Sequence, residues 1–293
     1  MSISAHDLIE AVSILGAGLA AGTINTVVGS GTLITFPTLL AFGYSPLVAN
    51  VSNTVGLVPG VMSGIAGMRR ELDGQKSRLL FLGSGSLLGG ILGAILLLSL
   101  PSDAFKAIVP VLIGLALVLV VVQPRLSARV AARRDAPVPG TAAVPAPGPA
   151  ESEGVDAAAE SEPGTVATAA RPKPQVSRGG LVLWALVFGT GVYGGYFGAA
   201  QGVLLLAFLG ISFTDPMKQL NGTKNVLAAL VNGVAAVIFI VLSPVNWTVV
   251  ALVAAGSIIG GQVGARIGRR LPPTALRVLI VCVGVAALVK LLV

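Results

Sequence analysis

Three polar runs interrupt an otherwise oily chain, and their residue types suit one kind of chemistry. The first is Asn25 with the turn Val28-Gly29-Ser30-Gly31, and the second is Asn50-Val51-Ser52-Asn53-Thr54. The third joins Tyr196 and Gln201 to Asn221-Gly222-Thr223-Lys224-Asn225. Amides, hydroxyls, an ammonium and glycine backbone all donate hydrogen bonds, and grouped donors suit an anion. A cation site would need carboxylates, and the six acidic residues outside 124–178 (Asp7, Glu10, Glu71, Asp73, Asp103, Asp215) map to termini or loops. A mechanism that relies on a buried carboxylate therefore has no visible carrier. Proton movement would have to run through Lys224, Tyr193, Tyr196 or the substrate itself. Enzyme readings fare badly, because a single histidine (His6) and a single cysteine (Cys282) make no metal-ligand cluster and no Cys/His or Ser/His pair. We expect no cofactor, no metal and no enzymatic activity. Cys282 reads as a packing residue of a helix.

The elements that position these runs must cross lipid. Of 293 residues, 54% are hydrophobic and 11% charged, which a soluble domain of this size does not show. Crossing ~30 Å of hydrocarbon takes roughly 20 helical residues. Apolar runs of about that length lie near 7–28, 46–68, 79–99, 104–123, 180–199, 217–242, 247–265 and 274–293, with shorter runs near 32–43 and 202–213. The runs are continuous, without the alternation of a membrane β-barrel. The fold class expected is an all-α polytopic membrane protein of about eight to ten membrane segments. The opening MSISAHDLIE has no basic region, so the first run reads as a retained span and not a cleaved leader.

Residues 124–178 break the pattern, with nine of the eighteen prolines and six of the twelve acidic residues. They read as a disordered linker between two membrane repeats, 1–123 and 179–293. A shift of 171 residues lays GSLLGGILGA (85–94) over GSIIGGQVGA (256–265), Gly31 over Gly202, Asn50 over Asn221 and Ser52 over Thr223. The halves are therefore a duplication. Basic residues stay on the cytoplasmic side, and one threading puts sixteen of nineteen there, including Arg69, Arg70, Lys76, Arg78, Lys218 and the linker flanks. Lys106 and Lys290 fall outside and Lys224 in the membrane. The +7 net charge is then topology and not a nucleic-acid surface. In this threading the halves are inverted, the linker is cytoplasmic and both termini face outward. An inverted pair needs an odd number of crossings per half. Each opening segment (7–43, 178–214) must then start and end on one side, as two short crossings or a re-entrant hairpin.

Inverted repeats with interrupted segments at matching positions point to a secondary transporter with a midplane site. Broken helices leave bare N–H groups and a partial positive charge at their amino ends, which hold anions. The residues expected to line the site are Asn25, Gly29, Ser30, Gly31, Asn50, Asn53, Thr54, Tyr196, Gln201, Asn221, Thr223, Lys224 and Asn225. Gly85, Gly89, Gly93, Gly256, Gly260 and Gly264, four apart on full spans, read instead as helix-packing positions. For Lys224 the bland alternative is snorkelling to the interface.

The block AGTINTVVGSGTLITFPTLLAFGYSPLVANVSNTVGLVPG (21–60), and GVYGGYFGAAQGVLLL followed by LNGTKNVLAALVN in the second half, resemble the two signatures of the sulfite exporter TauE/SafE family of membrane permeases. The resemblance spans both membrane halves and excludes the linker. It implies export of small sulfur oxyanions or organosulfonates, such as sulfite or sulfoacetate, across the inner membrane; with the inverted repeats, the expected motion is a rocking of the two halves around a central site. Where the second signature is usually richer in glycine, this chain has Ala199, Ala200 and Gln201, so the second tip is expected either to bind differently or to use Gln201 as a side-chain donor. A passive anion channel, a permease for another organic anion, and a structural or sensory membrane protein that uses its linker are the alternatives. Self-association is left open.

Overall fold

The computed structural model describes residues 5–135, 179–267 and 273–292. Among them are ten α-helices and no strand: α1 (Ala5–Val27), α2 (Thr32–Ala41), α3 (Pro46–Ala66), α4 (Lys76–Ser99), α5 (Ser102–Asp135), α6 (Gly179–Tyr196), α7 (Gln201–Ser212), α8 (Met217–Leu242), α9 (Trp247–Ile267) and α10 (Pro273–Leu292). A 3₁₀ turn, Arg69–Leu72, joins α3 to α4. Six helices are long and apolar enough to span a membrane, namely α1, α4, α5, α8, α9 and α10. The polar amino half of α3 keeps that helix out of the set, and α2, α6 and α7 are shorter apolar helices. Leu80, Val111, Leu181 and Val241, each at least 70% exposed, stand on the outer surface, where lipid tails satisfy them. Cys282 is exposed on α10, not packed inside as its sequence suggested.

The expected linker boundary at 124 falls inside a helix, since α5 runs through Pro124 to Asp135. Residues 136–178, where the rest of that linker falls, lie outside the described residues.

The opening segment folds back on itself. The chain leaves α1 at Val27, turns through Gly29 at φ +93, and places Gly31 against Ala21, whose carbonyl oxygen would stand 2.4 Å from a Cβ there. At the far end of α2, Phe42 meets His6 edge-on, and the Tyr44 hydroxyl donates to Glu10 Oε1 at 2.6 Å. Burial and the Glu10 carboxylate push the Tyr44 hydroxyl up to about 12, so it keeps the proton that it donates. The end of α2 therefore returns to the start of α1, as in a helical hairpin. The second half repeats the motif, with α6 and α7 packed together around a turn in which Gly198 takes φ +73.

The tight packing crosses between the halves. Helix α1 lies on α9, and α6 on α4; likewise α3 packs on α9 and α8 on α4. The repeated glycines make these contacts backbone to backbone. A Cβ at Gly260 would stand 2.0 Å from the Leu19 carbonyl oxygen, and one at Gly89 2.2 Å from that of Phe188. Ser257 Oγ on α9 donates to the Gly56 carbonyl of α3 at 3.0 Å. Helices that approach this closely gain dispersion contacts that lipid cannot replace.

Candidate functional site

Both opening segments break where the sequence places glycine, and the two breaks meet. The Gly202 N–H at the start of α7 donates to the Gly29 carbonyl at 3.1 Å. A Cβ on either glycine would stand 2.5 Å from the other's Cα, so only hydrogen fits at the crossing. Helices α2 and α7, of 10 and 12 residues, both begin here, and neither has a side-chain cap. Their amino ends carry partial positive charge into the centre of the bundle.

Two buried donors flank that contact without partners. Ser30, beside Gly29, is fully buried and its hydroxyl has no hydrogen bond; Gln201, beside Gly202, is 3% exposed and its Nε2 has none. The Gln201 carboxamide lies directly on Gly194, where a Cβ would come within 2.4 Å of it. Burying an unsatisfied donor costs roughly 1–3 kcal/mol. Here two of them stand on either side of one backbone contact, each with a hydrogen to donate.

The polar cluster of α8 grips the carboxyl end of α1. The Thr26 carbonyl accepts from Asn221 Nδ2 at 3.1 Å, Lys224 Nζ at 3.4 Å and Asn225 Nδ2 at 3.4 Å. Lys224 Nζ also reaches the Asn25 carbonyl at 3.3 Å. Lys224 is fully buried, so snorkelling does not describe it: its charge faces the negative end of α1. Asn25 enters this cluster through its backbone carbonyl. Asn50, the repeat partner of Asn221, does the same for the other hairpin and donates to the Tyr196 carbonyl at the end of α6 at 3.0 Å. Each half thus caps the broken helix of the other.

Asn53 occupies the position equivalent to Lys224 but turns to the amino end of α2. Its Oδ1 accepts from the Thr35 hydroxyl, and its Nδ2 reaches Thr32 Oγ1 at 3.4 Å. The Tyr196 hydroxyl is buried without a partner, its ring edge-on to Phe105.

Two expected site residues face elsewhere. Thr54 bonds back to the Asn50 carbonyl of its own helix at 2.9 Å. Thr223 bonds Gln75 before α4 and the Gln219 carbonyl, a contact between α8 and the basic loop. Sequence reasoning missed Thr26, Thr32 and Thr35. Thr32 and Thr35, three residues apart on α2, lie on one helix face, which was the available signal; Thr26 acts through a backbone atom and gave none.

Of two hollows, one approaches this region and the other lies at the opposite end of α2. The distant one, of about 380 Å³, is walled by Tyr44, Lys106 and Lys290. The near one, of about 260 Å³, reaches Thr26 and Asn221. Among the described residues no group of three His, Cys, Asp or Glu side chains comes together to hold a metal ion.

A multi-pass helical protein with paired broken helices and donor-lined tips belongs to the membrane transporters. Its family is shown directly: residues 14–291 match the model of the sulfite exporter TauE/SafE family, and the chain belongs to that family. Among curated proteins it is similar to the "Probable membrane transporter protein YfcA" of Escherichia coli (strain K12), 24% identical over 284 residues, or 94% of this chain and 86% of that one. It is also similar to the "Probable membrane transporter protein ORF9" of a Sinorhizobium species, 26% identical over 283 residues, with 94% of this chain and 90% of that one covered. No solved structure matches.

Proposed function

We propose that this transporter carries a small sulfur oxyanion or organosulfonate across the inner membrane in the outward direction, by alternating access to a site between the two helix breaks. The observation that carries this reading is the pair of unpartnered buried donors, Ser30 Oγ and Gln201 Nε2, on either side of the Gly29–Gly202 contact. The amino ends of α2 and α7 supply partial positive charge there, and Lys224 supplies a full one a helical turn away. The basic loops 69–78 and 266–277 face the cytoplasm in this reading, as do the residues of the linker, and both termini lie outside. The hairpin formed by α1 and α2 supports inverted halves, because the opening segment then starts and ends on one side and α3, α4 and α5 are left as the three crossings of the first repeat, α3 crossing in spite of its polar amino half. The bodies that move are cross-half bundles, α1 with α3 and α9 against α6 with α4 and α8.

Flux in proteoliposomes tests the reading. Saturable uptake of labelled sulfite, sulfoacetate or thiosulfate, with counterflow on the opposite side, is the expected result. Currents at channel conductance would favour a pore, and no flux of any of these anions would refute the assignment.

A further inference from the structure

The hollow of about 260 Å³ beside the tips has a wall that includes Thr26, Met68, Glu71, Met217, Lys218 and Asn221. Two of these residues carry opposite charges and stand close together. On α8, Lys218 is one turn before Gly222, and a Cβ at Gly222 would lie 3.5 Å from the Glu71 Cβ. Yet they form no ion pair; the pairs among the described residues are Arg78–Asp215 and Lys106–Asp103. Lys218 is thus an exposed cation at a cavity wall, with its charge available. Along α8, Lys218, Asn221 and Asn225 are spaced by three and four residues, so they rise on one helix face. That face leads from the Lys218 ammonium to the Thr26 carbonyl, where Asn221 and Asn225 already donate.

We propose that this hollow is an antechamber, a second binding place where a small soluble oxyanion pauses on its way to the helix tips. Lys218 makes the first contact and Asn221 forms the inner wall. The inference rests on the anion-transport reading and names the entry route to the same site. A water occupies about 30 Å³ of liquid, so the hollow holds a three-oxygen anion with part of its hydration shell. Glu71 beside Lys218 weakens the attraction and lets the anion move on. Asn221 Nδ2 spends one hydrogen on Thr26 and keeps a second for a guest.

The test uses Ala265→Cys, a reporter on the same wall, with Cys282→Ala removing the exposed native thiol. Two methanethiosulfonates of similar size, one bearing an ethylsulfonate and one an ethyltrimethylammonium, are applied to the full chain in phosphatidylcholine nanodiscs. Their rate ratio is normalised to a free thiol. We expect the anionic reagent to be favoured by up to about five-fold, the ratio for one unit charge at ~8 Å in water acting oppositely on the two reagents, less what Glu71 takes away. Lys218→Gln should shift the ratio towards the cationic reagent, because Glu71 is then uncompensated, and Lys218→Glu should shift it further, with elution volume unchanged because Lys218 is on the surface. Sulfite or sulfoacetate should slow modification in the parent reporter and not in Lys218→Gln. No modification by either reagent, or a ratio indifferent to Lys218, overturns the proposal. So does protection that appears only when phosphatidylglycerol is added, which would assign Lys218 to a lipid headgroup. If the ratios hold but the wild type moves no anion in vesicles, the antechamber stands and the transport reading falls.

Discussion

Replacing Lys224 by methionine removes the one charged side chain found among the described buried residues while nearly keeping its volume. Two effects oppose each other in stability. The Asn25 carbonyl loses the donor at 3.3 Å, which costs about 1–3 kcal/mol if nothing replaces it. The Thr26 carbonyl keeps Asn221 and Asn225. Against this, the desolvation of a buried ammonium, several kcal/mol in its own right, is relieved. The net change should stay within about 2 kcal/mol, or a few degrees in Tm for a chain of this size. Anion affinity has no such compensation. Asn25 precedes Gly29 by four residues, roughly 6 Å of helical rise, so the ammonium sits about 6–8 Å from the tips. A unit charge at that distance with an effective dielectric near 20 contributes about 2–3 kcal/mol, or roughly 30- to 100-fold in Kd. Lys224→Met should therefore elute and melt like the wild type in detergent and bind sulfite or sulfoacetate at least ten-fold more weakly. Lys224→Arg should recover much of the loss. A folded Lys224→Met protein with wild-type affinity and flux would refute the electrostatic role and leave Lys224 as a cap for α1 alone.

Other perturbations separate scaffold from site. Gln201→Leu removes an unsatisfied buried donor, so the protein should melt at the same temperature or higher while anion flux falls at least ten-fold; unchanged flux would take Gln201 out of the site. Gly260→Ala or Gly89→Ala places a methyl within about van der Waals collapse of a facing carbonyl, 2.0 and 2.2 Å away, so each should cost roughly 1–3 kcal/mol, read as a lowered melting temperature. Combining the two should add, because they sit in separate helix pairs.

Much of the architecture was legible because lipid simplifies the code. Of the eight runs read as spans from length and apolarity, six are helices long enough and apolar enough to cross, whereas 46–68 became the partly polar α3 and 180–199 the shorter α6; the break at Gly29 was read from polar residues where helix should continue. That the opening segment starts and ends on one side was expected from the count of crossings, but the way α2 packs back on α1 was not legible. It depends on Tyr44 meeting Glu10 and on Gly31 meeting Ala21, contacts that no local pattern encodes. The continuation of α5 to Asp135 was hidden by Pro124, which favours a break but is tolerated within this helix. At the site, residue type was readable and partnership was not. Asn50 and Asn221 were chosen as polar residues in oil, but their targets are backbone carbonyls of the opposite half. Thr223 satisfied the same sequence criterion and turned to Gln75. Side-chain chemistry says that a group needs a partner; only packing decides which.

The packing also bears on which parts can move. Rocking of the first half against the second would pull α1 from α9 and α4 from α6. At those seams a Cβ on Gly256 would stand 2.2 Å from the Leu15 carbonyl oxygen, one on Gly93 2.1 Å from that of Val192 and one on Gly195 2.4 Å from that of Gly90. Backbones so close are held by dispersion over many atoms, which falls away steeply with even a small gap. The contacts between the cross-half bundles include weaker ones at the centre: the Gly202–Gly29 hydrogen bond, Asn50 on Tyr196, and the α8 side chains on Thr26. Single hydrogen bonds exchange partners at little net cost when a new acceptor arrives. An anion bound between the tips is such an acceptor, so the contacts that yield most readily are also those the substrate would reach. A disulfide that locks α3 to α9 across Ser63 and Ile258, where Ser63 Oγ already donates to the Ile258 carbonyl at 3.0 Å, should leave transport intact; loss of flux on oxidation and its return on reduction would show that these two helices must part.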